Sequence, residues 1–298
     1  MAILAVENLS KNYGQIRALK GVSFSVPKGS VFGILGPNGS GKTTLLGIIM
    51  NVLRPTSGGY RMFDEEPVDA HRKMIGTLLE TPNFYHYLSA VQNLRITAAI
   101  KGHNEADIEK VLKIVNLYQR KDSAFSTYSL GMKQRLAIGA ALLGDPDVLV
   151  FDEPTNGLDP VGIAEIRTLI KELSANGKTI IMASHLLDEV EKVCTHVAIL
   201  KQGNLMANGH VNEIFVHDDI VQLSAPDMQR LKEALEQFHS TINISFVGDY
   251  AELAFKPGTA DLAAINQFCF DKGITLSLLR IKHSSLEKKF LELTNEPV

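Results

Sequence analysis

Residues 36–44 read Gly36-Pro37-Asn38-Gly39-Ser40-Gly41-Lys42-Thr43-Thr44, a match to G-x-x-x-x-G-K-[ST]. Glycines at this spacing let the backbone turn until successive N–H groups point into one hollow, and a helix starting at its end adds partial positive charge. Such a hollow suits a phosphate chain. Lys42 is placed to pair with the β- and γ-phosphates of a nucleotide, and the Thr43 hydroxyl to ligate Mg²⁺. A second group stands at Val148-Leu149-Val150-Phe151-Asp152-Glu153, four apolar residues followed by two carboxylates. Ligands bind beyond the carboxyl ends of strands in open α/β sheets. There Asp152 is expected to hold Mg²⁺ through water, and Glu153 to orient or deprotonate an attacking water. His185 ends a further apolar run, 179–184, where it could hydrogen-bond a γ-phosphate from the same sheet edge. Finally, Tyr128-Ser129-Leu130-Gly131-Met132 opens a long apolar helix. Ser129 reads as its N-cap, and a capped helix start can also take a phosphate.

These groups need a scaffold, and the patterning supplies one. Residues 3–9 and 22–26 read as short strands broken by glycine turns, and 30–35 as a buried strand running into the glycine-rich loop and a helix over 43–53. From about 84 to 144 the period becomes helical: Ser89 and Gln92 have capping-box spacing, and Ile108, Val111, Leu112 and Val115 share a helical face. Strand patterns return at 148–151, 179–183 and 197–200, separated by helices over 161–175 and 186–193. Alternation of this kind predicts an α/β domain with a mainly parallel sheet and an inserted helical subdomain. Beyond about 215 a second domain is expected. Its strand and helix patterns run 220–224, 227–238, 242–247, 250–255, 260–271 and 274–280, the β-α-β-β-α-β order of a split-βαβ, ferredoxin-like α+β module, with a final helix over 285–294.

Composition narrows the field. Of 298 residues, 45% are hydrophobic and 21% charged, enough apolar surface for a sizeable core. Thirty basic against 33 acidic side chains leave a net charge of -3, which argues against a nucleic-acid binder. Cys194 and Cys269 cannot make a disulfide framework and suit a reducing compartment. No apolar run approaches the length of a membrane span, and the first residues lack a basic leader. The expectation is a soluble, cytoplasmic protein.

The order of the motifs resembles the nucleotide-binding subunit of ATP-binding-cassette (ABC) transporters. Phosphate loop, helical insert, Ser129-Leu130-Gly131, acidic strand end, Gly157-Leu158-Asp159 and His185 follow one another as in that family, over about residues 1–215. The resemblance implies a P-loop NTPase with an antiparallel β subdomain, ATP and Mg²⁺ as ligands, and two ATPase domains packed head to tail. Ser129 and Gly131 would then serve a partner's ATP, Asp159 would lie at the dimer seam, and Tyr13 would stack on adenine. Two departures stand out: Leu130 and Met132 replace a glycine and a glutamine of the usual signature, and Glu80 stands where a Mg²⁺-sensing glutamine is usual. Glu80 either raises metal affinity or acts through water. Both departures are similar to the bacitracin- and lantibiotic-export or self-immunity branch.

The resemblance implies an ATPase, homodimeric or paired with a paralogue, that powers a separate transmembrane permease from the inner face of the membrane. The residues 80–88 would form the coupling surface. The substrate would be a peptide antibiotic, a drug or a lipid-like molecule. The alternative is a soluble ABC-type mechanochemical ATPase acting on ribosome or DNA, but the chain has one cassette, a short insert without heptads and no basic tail. A small-molecule P-loop kinase would leave Ser129, Asp159 and His185 without joint roles.

Overall fold

Two long strands, β1 (Ala2–Tyr13) and β2 (Ile16–Pro27), fold back on each other and turn alternate residues inward. The computed structural model describes residues 2–79, 83–214, 219–238 and 241–282. β2 leads to β3 (Val31–Leu35), buried along its whole length, and then through the glycine-rich loop to α1 (Lys42–Ile49). α1 stops short of the expected residue 53. Asn51 takes a left-handed conformation, its N–H donates to Ile48 O and the Val52 N–H to Gly47 O, a double bond pattern that closes a helix end. β4 (Ser57–Met62) returns to pair with β1, completing a three-stranded antiparallel sheet in the order β2-β1-β4. A short helix, α2 (Asp69–Lys73), and a strand, β5 (Ile75–Leu78), follow.

The helical insert comprises α3 (Ala90–Lys101), α4 (Ala106–Ile114) and α5 (Leu130–Leu142). The Ser89–Gln92 capping box forms as spaced, with each side chain accepting from the other residue's backbone N–H. The chain then alternates through β6 (Val148–Asp152), α6 (Pro160–Ala175), β7 (Thr179–Ser184), α7 (Leu187–Val193), β8 (His196–Lys201), β9 (Asn204–His210) and α8 (Val211–Ile214). The main sheet runs β5-β6-β7-β3-β8-β9, parallel except for β9. β3, β6 and β7 are fully buried and mainly apolar, as expected of strands covered on both faces. The helix forms on α6 because Asp159 accepts from the Gly162 N–H at 2.8 Å and Pro160 fits the first helical position.

Contacts divide the chain into two compact units, Met1–Ile214 and Phe215–Val298. The second holds β10 (Asp219–Ser224), α9 (Met228–Leu235), β11 (Asn243–Val247), β12 (Tyr250–Phe255), α10 (Leu262–Asp271) and β13 (Leu278–Lys282). Its strands form an antiparallel sheet in the order β11-β12-β10-β13. Leu231 and Leu235 of α9 and Ile265 and Cys269 of α10 pack with Val221, Leu223, Leu253 and Phe255 in one core. The last strand begins later than the expected 274. Gly273 is left-handed, and the Ile274 N–H donates to Cys269 O, so Ile274 closes α10 as a buried cap residue. The helix expected over 285–294 lies outside the described residues.

Candidate functional site: a phosphate loop facing two carboxylates and a histidine

Three neighbouring parallel strands, β6, β7 and β3, bring their carboxyl ends to one edge. At the end of β3 the loop 36–41 wraps around the start of α1. Gly41 has a φ of +107°, and a β-carbon there would stand 2.6 Å from Ala18 O of β2. At Gly36 a β-carbon would run into Leu200 O and come within 2.6 Å of Ser40 Oγ. No side chain fits either place. Lys42 is only 6% exposed and donates to Gly36 O at 2.8 Å and Pro37 O at 3.3 Å. The ammonium is thus folded across its own loop, beside the hollow. Ser40 Oγ is buried with no hydrogen-bond partner, an atom poised for an acceptor or donor that enters the loop.

Opposite this loop stand the acids. Asp152, the last residue of β6, is buried and accepts from the Thr43 hydroxyl at 2.8 Å. Glu153 follows with a left-handed φ of +49°, which turns its side chain back over the sheet edge while its N–H donates to Ala183 O. A non-glycine residue pays for that conformation, and such residues cluster where function needs them. The two carboxylate oxygens of Glu153 face different partners. Oε1 lies 3.4 Å from Lys42 Nζ, and Oε2 lies 2.8 Å from His185 Nδ1. An ionised carboxylate only accepts, so Nδ1 of His185 carries the proton and Nε2 is left as the other ring nitrogen.

Asn38, Gly39, Gly41, Lys42, Thr43, Thr44 and Glu153 line an open cavity of about 650 Å³. Its other wall comes from the β1–β2 turn, β2 and the β8–β9 turn: Gln15, Ile16, Arg17, Ala18, Lys20 and Gln202. Sequence reading missed these. No motif marks them, although Ile16, an apolar residue 70% exposed next to a glycine turn, is a signal in hindsight. Tyr13, the residue expected to stack on adenine, pairs with Ile16 across the hairpin and is 45% exposed, with Lys11 Nζ 5.0 Å above its ring; it does not line the cavity. The turn at Gly203 is clasped to the site. Its N–H donates to Ser40 O and its carbonyl accepts from the Lys20 N–H. Glu80 lies outside the described residues.

Ser129 and Gly131 occur elsewhere in the same unit. Ser129 caps α5 by accepting from the Met132 N–H at 3.3 Å. Tyr128 before it donates its hydroxyl to Arg120 O at 2.7 Å, and burial raises its phenol above the ordinary range, so it stays a donor. Gly131 faces Gly162 across an ordinary contact, and a β-carbon at Gly157 would touch Leu130 Cδ2 at 3.4 Å. The Ser129 turn therefore abuts the Gly157–Asp159 segment. Neither Ser129 nor Gly131 lines the phosphate-loop cavity. Behind both segments, Arg167 of α6 donates to Glu189 of α7 at 2.6 Å, where the carboxylate is 4% exposed.

The profile of the family described as ABC transporter matches residues 19–156. The bacitracin transport ATP-binding protein BcrA of Enterococcus faecalis is 33% identical over 298 residues, spanning 98% of this chain and 96% of that protein. The lantibiotic transport ATP-binding protein SrtF of Streptococcus pyogenes is 37% identical over 204 residues, 68% of this chain and 89% of that one. Among solved structures, the ATP-binding cassette MJ0796, a dimer in a post-hydrolysis state bound to ADP and Pi, superposes with a TM-score of 0.61 at 26% identity, covering 70% of this chain and 98% of that one. The chain belongs to the ATP-binding proteins of ABC transporters.

Proposed function

We propose that two copies of this chain, or this chain and a paralogue, close around ATP and hydrolyse it to drive export through a separate membrane-spanning permease. The observation that carries the shared site is the separation of Ser129 and Gly131 from the phosphate-loop cavity of their own chain. In this reading the Ser129 turn serves the partner's nucleotide, and Asp159 lies at the seam. That a similar cassette, MJ0796, is a dimer bound to ADP and Pi supports pairing of two chains.

Within one cavity each residue then has a task. Loop N–H groups and the Lys42 ammonium neutralise the phosphates, with Lys42 giving up its bonds to Gly36 and Pro37 carbonyls for phosphate oxygens. Ile16, Arg17 and Gln202 border the space left for the base and ribose. Glu153 takes the proton of the attacking water, while His185 holds the carboxylate in place through Nδ1. The donors present fit Mg²⁺: a hydroxyl and a carboxylate, both hard oxygens, meet at Thr43 and Asp152. Among the described residues no cluster of three His, Cys, Asp or Glu side chains could hold an ion alone. Phosphate and water oxygens would complete the shell, and the bound ion would neutralise charge on the phosphates.

Among the described residues no helix is long and apolar enough to cross a membrane. The chain would sit at the inner face of the membrane through its permease. Residues 83–88 support the coupling role: Tyr85 and Tyr87 are 53% and 76% exposed, and Asn93 fixes the loop from behind by bonds to Tyr85, Leu88 and Ser89. A peptide antibiotic, drug or lipid-like substrate accords with the transport names of the relatives. The second unit reads as a ferredoxin-like accessory domain, because its strand order and pairing suit two interleaved βαβ halves. The test is phosphate release at graded protein concentration with ATP and Mg²⁺. The rate per chain is expected to fall once dilution makes the chain monomeric, as followed by sedimentation; a rate unchanged in the monomeric range would sink the shared site. Co-purification of a multi-span subunit with the chain from membranes tests the partner.

A further inference from the structure

The two edges of the second unit's sheet differ. β13 carries Arg280, a charge of the kind that keeps an edge from pairing with another chain. β11, the other edge, has none. Thr241-Ile242-Asn243-Ile244-Ser245-Phe246-Val247 contains no charged residue and no proline. Its register with β12 runs without a bulge from Asn243–Ala254 to Val247–Tyr250. Ile242, Phe246 and Val247 remain 56%, 40% and 45% exposed. Lys232 Nζ sits 5.4 Å over the Phe246 ring and ties it to α9 without covering it. Among the described residues no strand pairs with the outer side of β11. A regular, apolar, uncharged edge is a template for another strand.

We propose that β11 pairs antiparallel with β11 of a second copy, joining two four-stranded sheets into one of eight strands. The sequence is self-complementary about Ser245. With a two-fold axis there, Ser245 meets its own counterpart, Ile244 meets Phe246 of the other copy, and Asn243 meets Val247. Aromatic against β-branched is a favourable cross-strand pair, and no like charges are set opposite each other on these strands. A charged peptide would find no complementary group on β11, which favours a second copy over a foreign segment. The pairing needs no nucleotide. It would keep two chains at high effective concentration between rounds of ATP binding.

Sedimentation velocity of the full chain without nucleotide tests this. Self-association is expected, weakened about tenfold or more by the double substitution Ile242→Lys and Val247→Lys, an edge charge that natural sheets use against pairing. Both positions are exposed, and circular dichroism would check that the variant folds. Ser129→Arg, at the cassette turn, should leave this association unchanged. Because Cys194 and Cys269 are buried, Ser245→Cys treated with a short bismaleimide should give a covalent dimer in the native protein. A wild-type chain that stays monomeric, a lysine variant that associates as well as the wild type, or Ser245→Cys that gives no dimer overturns the proposal. If Ser129→Arg abolishes the association and the lysines do not, the edge pairing is wrong and the shared nucleotide site stands.

Discussion

Glu153 and His185 are joined by a 2.8 Å contact between Oε2 and Nδ1, across the ends of adjacent strands β6 and β7. The histidine thus holds one oxygen of the carboxylate while the other stays 3.4 Å from Lys42. Replacing Glu153 by Gln keeps the shape and removes the proposed proton acceptor. ATP turnover should fall by about 10²–10⁴-fold with nucleotide affinity retained. Phosphate release beside binding of a fluorescent ATP analogue measures the two separately, and turnover at the wild-type rate would remove Glu153 from the base role.

Lys42→Ala acts on binding. A charge-assisted hydrogen bond contributes about 1.5–3 kcal/mol, so the Kd for ATP should rise about tenfold to a hundredfold. Equilibrium titration checks it.

Ser129→Arg separates the two halves of the proposed site. Loss of the cap costs roughly 1 kcal/mol of stability, so the melting temperature should drop by a few degrees at most. Phosphate release should nevertheless collapse. Normal turnover with a normal fold would refute a site shared between chains.

Asn93→Ala tests the coupling loop. It strips the Tyr85 N–H and three carbonyls of a buried partner, at a cost of about 1–3 kcal/mol. Basal ATPase activity of the purified chain should survive, whereas stimulation by the permease in proteoliposomes should be lost.

Asp145 offers a pH test away from the chemistry. The hydrogen bond from Lys178 holds its carboxyl below the usual aspartate range. The unfolded chain therefore takes up the proton first as pH falls. The pair stabilises above the unfolded carboxyl's range and loses that effect as pH drops through the folded value. Asp145→Asn keeps a residue tolerant of the left-handed φ of +53°. Its thermal midpoint should lie below the wild type near neutrality and merge with it in acid.

Much of this was legible in residues because the phosphate loop, the acidic pair and His185 each sit at the end of a mainly apolar, buried strand. β3, β6 and β7 are buried over every residue, so the residues that follow them, Gly36, Glu153 and His185, had to emerge at a sheet edge. Helix ends were less legible. Asn51 and Ile274 belong to caps whose bonds run back to Gly47, Ile48 and Cys269, and an apolar residue in a cap looks like one in a strand or helix. β4 and β9 escaped notice as well; Gly58 and Gly59 in one, Asn208 and Gly209 in the other, blur the alternation. The cavity's second wall was hidden for another reason. Ile16, Arg17 and Gln202 come from two hairpins distant in sequence, and only tertiary pairing brings them to the loop.

Arg167 grips Glu189 about two helical turns beyond Asp159, and Glu189 lies one turn past His185. A helix is stiff along its axis, so a displacement of α6's capped start would reach α7 through this pair. In the proposed dimer, this link would connect the Asp159 end of α6 to the side chain that contacts Glu153.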